Sequence, residues 1–187
     1  MKAILTTILV LGLLMPISSP VHSDEGEERK VEAKRFLEIG LALHQMGDYR
    51  KAVESFKKSI ELDPTAPGYT YMAWSFSYLG KLDLAISLAE KAIELAPNFG
   101  NPYNDIGAYL MEKGLYDEAI PYLRKAMKAP DYCCYFYPYF NLGKIYAIRG
   151  HYVDAITELE QALKIKPDFV PAIMAIELIK RRMEESL

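Results

Sequence analysis

One unit of about 34 residues recurs along most of this chain, and no other feature limits its fold as strongly. Four consecutive segments begin 33, 34 and 36 residues apart and carry large and small apolar residues at matching places. A short unit of this kind cannot bury its apolar face alone, so neighbouring units stack and share one core. The repeat region covers 33–167, with repeats at approximately 33–65, 66–99, 100–135 and 136–169.

Each repeat contains two stretches in which apolar residues recur three and four positions apart, which is a helical period. We call the first stretch helix A and the second helix B. A Gly after helix A predicts its end, and a Pro predicts the end of helix B. The Gly residues are Gly47, Gly80, Gly114 and Gly150, and the Pro residues are Pro64, Pro97, Pro130 and Pro167. The pattern predicts an all-α fold of stacked antiparallel helix hairpins.

A small residue stands in the middle of every helix A, although Gly costs about 1 kcal/mol there relative to Ala. These residues are Gly40, Ala73, Gly107 and Gly143. Helix B has a small residue at the matching place, namely Ala52, Ala85, Ala119 and Ala155. We expect small residues to face one another, so that the two helices of each hairpin come into contact. In the third helix B, Pro121 removes one backbone hydrogen bond and predicts a local bend.

These residues together resemble the tetratricopeptide repeat. Its marks are an aromatic residue early in helix A, then Leu-Gly and a second large residue, followed by Ala, Phe, Ala and Pro in helix B. The second repeat departs locally, with Ala89 in place of Phe. The resemblance implies an α-solenoid, a right-handed superhelix with the A helices on its concave side. Residues 168–187 begin another helix A without a helix B, so we expect a C-terminal capping helix with one polar face.

The resemblance also implies that the A-helix residues between the core positions face a groove. Beyond the groove residues predicted below, this set includes Lys34, His44, Thr70, Met111 and Ile148. Large aromatic residues at a surface usually mark an interaction site. We therefore predict a peptide-binding groove formed by Leu37, Leu41, Tyr71, Trp74, Tyr78, Asn101, Asn104, Asp105, Tyr137, Phe140, Asn141 and Lys144. The alternative is that Trp74 and Phe140 only pack between repeats.

Some members of this family hold a C-terminal carboxylate with a Lys and an Asn one helical turn apart in the first repeat. The matching positions here are Leu37 and Leu41. The carboxylate-clamp function is therefore not expected in this chain.

The first 23 residues have the order of a secretory signal peptide. Lys2 precedes an uncharged apolar run from Ala3 to Met15, which is shorter than the roughly 20 residues that span a bilayer. We expect cleavage near Ser23, followed by a charged leader over 24–32 and no stable membrane insertion afterwards. The alternative is a retained N-terminal anchor. No Cys lies near the cleavage site, so a lipid anchor is not expected.

Composition and motifs argue against several other functions. The net charge is −3, which gives no positive excess for nucleic acid or anionic lipid as the main partner. No phosphate-binding Gly-rich motif is present, and His44 and His151 lie in separate repeats without neighbouring Cys or Ser. We expect no catalytic residue, no metal ligand and no cofactor. The least favoured reading is an enzyme or metal carrier that uses these His residues or the Cys pair.

The only two cysteines, Cys133 and Cys134, are adjacent in the segment between the third and fourth repeats. Consecutive Cα atoms are about 3.8 Å apart, whereas a disulfide prefers roughly 5.5–6 Å. Three readings stay open: two idle thiols, a labile vicinal disulfide, or a link to another chain.

The sequence thus predicts an exported, periplasmic or secreted, non-enzymatic scaffold that binds a protein or peptide in its groove. Bacterial envelope assembly is the expected setting. The order of Asn104-Asp-Ile-Gly107, Ala129-Pro-Asp-Tyr132 and Asn141-Leu-Gly143 is also similar to the repeat proteins that assist type IV pilus assembly. Those proteins are usually lipid-anchored. The runner-up is a membrane-tethered assembly factor that retains its N-terminal segment.

Overall fold

The computed structural model describes residues 21–185, which form nine α-helices and no strand. An isolated backbone bridge joins Phe99 to Asp131. The helices are α1 Val21–Gln45, α2 Tyr49–Leu62, α3 Ala66–Tyr78, α4 Leu82–Leu95, α5 Asn101–Glu112, α6 Tyr116–Ala126, α7 Phe136–Ile148, α8 Tyr152–Ile165 and α9 Val170–Glu184. The all-α expectation is confirmed.

Eight of these helices pair into four antiparallel hairpins, and each hairpin packs on the next. The A helices are α1, α3, α5, α7 and α9, and each of them also contacts the following A helix. Within the described residues the B helices α2, α4, α6 and α8 make no such contacts with one another. The A helices therefore lie on the inner, concave side of a right-handed superhelix, and the B helices lie on its outer side.

In three of the four hairpins, a large side chain of helix B lies against a Gly of helix A, whereas the second hairpin has the fully buried Ala73 and Ala89 at these places. A Cβ added at Gly107 would stand 2.5 Å from Leu123 Cδ2 and 3.6 Å from the Ala119 carbonyl oxygen. The equivalent pairs are Gly40 with Phe56 and Gly143 with Leu159. We expected the small residue of helix A to lie against the small residue of helix B, and this is wrong where helix A has a Gly, because the Gly lies against a large side chain. The Ala of helix B sits one turn earlier and brings its backbone close, while the Gly makes room for the larger side chain.

The turn between the two helices of each hairpin ends on a Gly in the left-handed region. The φ values of Gly47, Gly80, Gly114 and Gly150 lie between 71° and 81°. A side chain with a Cβ is strained in this conformation, whereas Gly adopts it freely. The predicted ends of the A helices are confirmed at these four positions.

The junction between the third and fourth hairpins contains an added backbone contact. The Gly100 amide donates to the Asp131 carbonyl and the Asp131 amide donates to the Asn98 carbonyl, each at 3.1 Å. Tyr132 is buried over Gly100, at a point where any Cβ would collide with its side chain. The extra residues between these repeats therefore fold back onto the preceding turn. Pro121 lies inside α6, and the bend expected there stays a prediction.

Helix α9 covers the last hairpin with Ala172, Ile176 and Ile179, which are buried against α8 and α7. We expected its outer face to be polar, but only part of that face is. Charged residues fill its last turns, but the earlier turns expose apolar side chains, on which no other helix within residues 21–185 packs. The exposed side chains are Val170, Ile173, Met174 and Leu178.

Residues 1–20 of the predicted signal peptide lie outside the described residues, and the expected cleavage point near Ser23 falls in the first turn of α1. The charged stretch 24–32 continues α1, and its described side chains are exposed. No helix within residues 21–185 is long and apolar enough to cross a membrane.

Replacing Gly107 with Leu should destabilise the protein by roughly 1–3 kcal/mol, because the new side chain overlaps Leu123. The matched control is Gly26→Leu in α1, where an added Cβ meets nothing within 4 Å. Urea unfolding followed by circular dichroism measures both. Equal unfolding midpoints for the two variants would contradict this packing.

Deleting residues 169–187 should expose the apolar face of α8 and the ring of Phe136, which packs edge-on against Phe169 at 4.9 Å. The truncated protein should aggregate or dimerise while the other helices keep their circular dichroism signal. Met174→Ser is the control, because Met174 is exposed and contributes little to this contact. A monomeric truncation with unchanged thermal stability would show that α9 is not a cap.

Candidate functional site

Three side-chain hydrogen bonds link consecutive A helices on the concave side. Each joins one A helix to the next, so together they connect α1, α3, α5 and α7. The pairs are His44 Nδ1 with Ser75 Oγ at 3.0 Å, Trp74 Nε1 donating to Asp105 Oδ2 at 2.5 Å, and Asn141 Nδ2 donating to Asn104 Oδ1 at 3.1 Å. We call these three bonds the inner ladder. Five of its six side chains come from the residues expected to face the groove, and Ser75 is the addition.

The predicted groove residues differ in how far they reach the surface. Tyr78, Tyr137 and Lys144 are exposed, and Asp105 is buried. The half-buried ones are Leu37, Leu41, Tyr71, Trp74, Asn101, Asn104, Phe140 and Asn141. Thr70, also expected in the groove, is fully buried and donates from Oγ1 to the Ala66 carbonyl at 2.8 Å, so that expectation is wrong.

A cavity of about 640 Å³ opens between α1, α3 and α5. Aromatic rings and carboxylates line most of it, with two small residues between them. The lining residues are His44, Trp74, Ser77, Tyr78, Asp105, Ala108, Tyr109 and Glu112. We call this space the α1–α3–α5 cavity. Its volume is in the range of small-molecule and side-chain binding sites.

Asp105 is the most perturbed acid that lines this cavity. Only 8% of its surface is exposed, and the indole of Trp74 donates to its carboxylate. Burial raises the pKa of Asp105 to about 7, and the hydrogen bonds from Trp74 and Asn104 only partly oppose this effect. A substantial share of Asp105 is therefore protonated at neutral pH.

Aromatic side chains form a connected cluster around the mouth of the cavity. The rings of Tyr49 and Tyr78 stack with centroids 4.7 Å apart, and His44 meets both edge-on at 5.1 and 5.2 Å. Burial lowers the pKa of His44, so its ring is mainly neutral at pH 7. The cluster therefore presents aromatic faces and edges without adding positive charge.

Tyr109 reaches into the same cavity from α5. Its side chain is 6% exposed, and its hydroxyl makes no hydrogen bond of good geometry to a described residue, although the Ser77 side chain lies near it. Burial, together with the nearby Asp105 carboxylate, raises the pKa of Tyr109, so the hydroxyl is protonated. A buried hydroxyl without a partner costs free energy that a bound polar group would recover.

The C-terminal part of the groove is more apolar. Phe140 meets Phe169 edge-on at 5.1 Å, and Lys144 Nζ lies 5.6 Å from the Phe140 ring centroid. A second cavity of about 250 Å³ lies here between α7, α8 and α9. Both Phe140 and Trp74 thus pack between repeats, and each keeps part of its surface accessible.

Leu37 and Leu41 belong to the apolar cluster around Phe56 and Met72 at the first hairpin. The N-terminal end of the groove therefore offers apolar surface.

The remaining residues considered for chemistry are dispersed. His151 is exposed at the start of α8, with Nδ1 3.9 Å from the Asp154 carboxylate. The Cys133 and Cys134 sulfur atoms are 2.7 Å apart as free thiols, and burial with the neighbouring thiol raises the pKa of Cys134 to about 11. Among residues 21–185, no group of three or more His, Cys, Asp and Glu side chains could hold a metal ion.

The stacked hairpins and the concave row of A-helix side chains define a helical-repeat protein of the α-solenoid class. Family models described as the tetratricopeptide repeat match residues 33–65, 70–132 and 136–169. The chain belongs to the tetratricopeptide repeat family. Proteins built from this repeat act generally as interaction scaffolds, as the resemblance implied.

Two curated proteins are among its relatives. The type IV pilus assembly protein PilF of Pseudomonas aeruginosa is 27% identical over 130 residues, which are 67% of this chain and 51% of that protein. The small glutamine-rich tetratricopeptide repeat-containing protein 2 of Mycosarcoma maydis is 38% identical over 82 residues, which are 43% of this chain and 23% of that protein. The chain therefore spans about half or less of these relatives.

A solved structure of Pseudomonas aeruginosa PilF superimposes with a TM-score of 0.78 and 21% identity. The superposition covers 84% of this chain and 72% of that chain. At this identity the likeness shows a shared fold.

Sequence reasoning missed Tyr109, Glu112 and the partner role of Ser75. Asp105, Tyr109 and Glu112 are four and three positions apart, so they lie on one face of α5. That spacing was visible in the sequence and could have drawn attention to them. The distance from this face to Trp74 and His44 depends on how three repeats stack, which one helix does not reveal.

Replacing Asp105 with Asn should remove a fall in stability between about pH 4 and pH 7. The raised pKa means that the folded protein keeps this proton while the unfolded chain loses it, so folding is weakened as the pH rises. Above pH 7 the variant should be more stable than the wild type by up to about 4 kcal/mol. Urea unfolding at several pH values measures the difference.

The matched control is Asp154→Asn, an exposed carboxylate on α8. His44 also lines the cavity and is present in both proteins, so its contribution cancels to first order in the comparison. If the wild type and Asp105→Asn show parallel stability curves, Asp105 does not titrate as assigned.

Proposed function

We propose that this protein is an exported, non-enzymatic scaffold that binds an extended segment of another protein along its concave groove, in the assembly of a bacterial envelope structure. The inner ladder carries the proposal, because it aligns groove side chains from four successive A helices into one continuous surface. One peptide lying across these helices could contact all of them at once.

The chemistry of the groove supports a peptide ligand. Aromatic side chains such as Tyr78 and Tyr137 are exposed there, and Tyr, Trp and Arg supply most binding energy at protein interfaces. Half-buried amides such as Asn101 can bond to the backbone of an extended chain. Lys144 adds a positive charge near the C-terminal end.

The assembly setting is supported by PilF, a relative whose name is type IV pilus assembly protein. Export is supported by the apolar run from Ala3 to Met15 and the small residues before Asp24. A membrane-tethered assembly factor is the competing function, since the same run could be retained as an anchor.

Exposed groove residues give the sharpest test of binding, because their side chains lie on the surface that a ligand would contact. We expect peptides selected from a random display library to bind the purified protein. Their affinity should fall at least about tenfold on Tyr78→Ala, Tyr137→Ala or Lys144→Ala. Lys57→Ala is the control, an exposed lysine on the outer helix α2. Peptides held equally by all four variants would place recognition outside the groove, and a failure to select any peptide would oppose the proposal.

N-terminal sequencing of the protein isolated from its native cells tests export. We expect a start at Asp24 in a soluble envelope fraction. An intact N-terminus in the membrane fraction would favour the tethered alternative and overturn this part of the proposal.

A further inference from the structure

The α1–α3–α5 cavity is acidic in a way that the rest of the groove is not. Asp105 and Glu112 both line it, and among the described residues around it none is Lys or Arg. The side chain of the adjacent Lys113 pairs with Asp83 instead. A bound group that enters this cavity therefore meets two carboxylates without a basic partner.

We propose that this cavity is the specificity pocket of the groove, and that it accepts a lysine or arginine side chain of the bound peptide. The inference rests on the proposed function, since it takes the ligand to be a peptide. The carboxylate of Asp105 would receive the cationic head, and the rings of Trp74 and Tyr78 would flank its stem.

The aromatic side chains that line the cavity also favour a cationic group, in addition to the two carboxyl groups. A cationic nitrogen is attracted to the face of Trp or Tyr within about 6 Å of the ring centroid, and the attraction grows when water is excluded. Trp74 has its edge fixed by the bond to Asp105, so its ring is held beside the carboxylate. The neutral ring of His44 does not repel the incoming charge.

Two buried polar groups gain partners from such a ligand. Asp105 accepts from Trp74 and Asn104, which leaves acceptor capacity on its carboxylate, and the Tyr109 hydroxyl has only the Ser77 side chain nearby, without a hydrogen bond of good geometry among residues 21–185. Both project from one face of α5, four residues apart. An ammonium group has three N–H donors and a guanidinium group has five, so either has enough donors for the Asp105 carboxylate and the Tyr109 hydroxyl oxygen.

Other side chains fit this cavity less well. An acidic side chain would meet the carboxyl groups of Asp105 and Glu112 and no cationic partner. A neutral apolar side chain would bury Asp105 further and leave Tyr109 without a partner, at a cost in free energy. A cation avoids both penalties, because a nearby positive charge stabilises the ionised form of a buried carboxyl group.

The sole tryptophan of the chain provides a direct readout, because Trp74 lies in the cavity wall. The probes are the N-acetyl amides of arginine, lysine, norleucine and glutamate. Their binding is measured by the fluorescence of Trp74 and by the NMR signal of its indole N–H. We expect saturable changes with arginine and lysine, and at least about tenfold weaker binding of the neutral norleucine amide. No response to the arginine amide at high millimolar concentration, or equal binding of norleucine, would overturn the pocket.

Two variants separate the pocket from general effects on the fold. Asp105→Asn keeps the shape and removes the charge, and Tyr78→Leu removes an aromatic face at an exposed position. Each variant should lower the affinity for the arginine amide several-fold, whereas Asp154→Asn on α8 should leave this affinity unchanged. Unchanged affinity in both pocket variants would contradict the assignment, and intact helicity by circular dichroism is the check on folding.

The display library distinguishes this inference from the proposed function. If both hold, selected peptides share a Lys or Arg, and its replacement by norleucine weakens them in the wild type but not in Asp105→Asn. Peptides that depend on Tyr137 and Lys144 yet show no basic preference would keep the groove and overturn the pocket. Failure to select any groove-dependent peptide would overturn the proposed function itself.

Discussion

The fit of one large helix B side chain against a small helix A residue is the contact on which the rest of the protein depends. Where the small residue is Gly, as at Gly40, Gly107 and Gly143, a Cβ would collide with the opposing ring or branched side chain. Close approach within a hairpin leaves the other faces of both helices for the neighbouring hairpins. The core is therefore continuous along the array, although no single repeat could form one.

Because the hairpins stack regularly, side chains from successive A helices lie next to one another on the concave side. Residues about 31 to 37 positions apart in the chain become hydrogen-bonding neighbours on successive A helices. Three of the six side chains that make these bonds, His44, Trp74 and Asp105, also line the α1–α3–α5 cavity, so packing and the proposed recognition involve some of the same atoms. Asp105 illustrates the overlap: it anchors Trp74, yet its burial raises its pKa to about 7. A group that satisfies this carboxyl would stabilise both the repeat junction and the complex.

Most of the fold could be predicted from the sequence because its determinants are local. The helical period and the turn glycines, Gly47 among them, lie within a few residues of the features they specify. The errors concern tertiary distances. Gly107 lies against the side chain of Leu123, with only the backbone of Ala119 nearby, and Thr70 turns inward to Ala66. The cavity escaped prediction for the same reason, since it needs three helices from separate repeats.

The position of the inner ladder links ligand contact to the curvature of the whole array. When a curved elastic body is straightened, its inner side lengthens and its outer side shortens. Straightening this superhelix would move α1, α3, α5 and α7 apart and lengthen the bonds of the ladder. A peptide that spans these helices resists that separation. Occupancy of the proposed groove would therefore make the array stiffer against stretching, and tension on its ends would first separate the helices that form this groove.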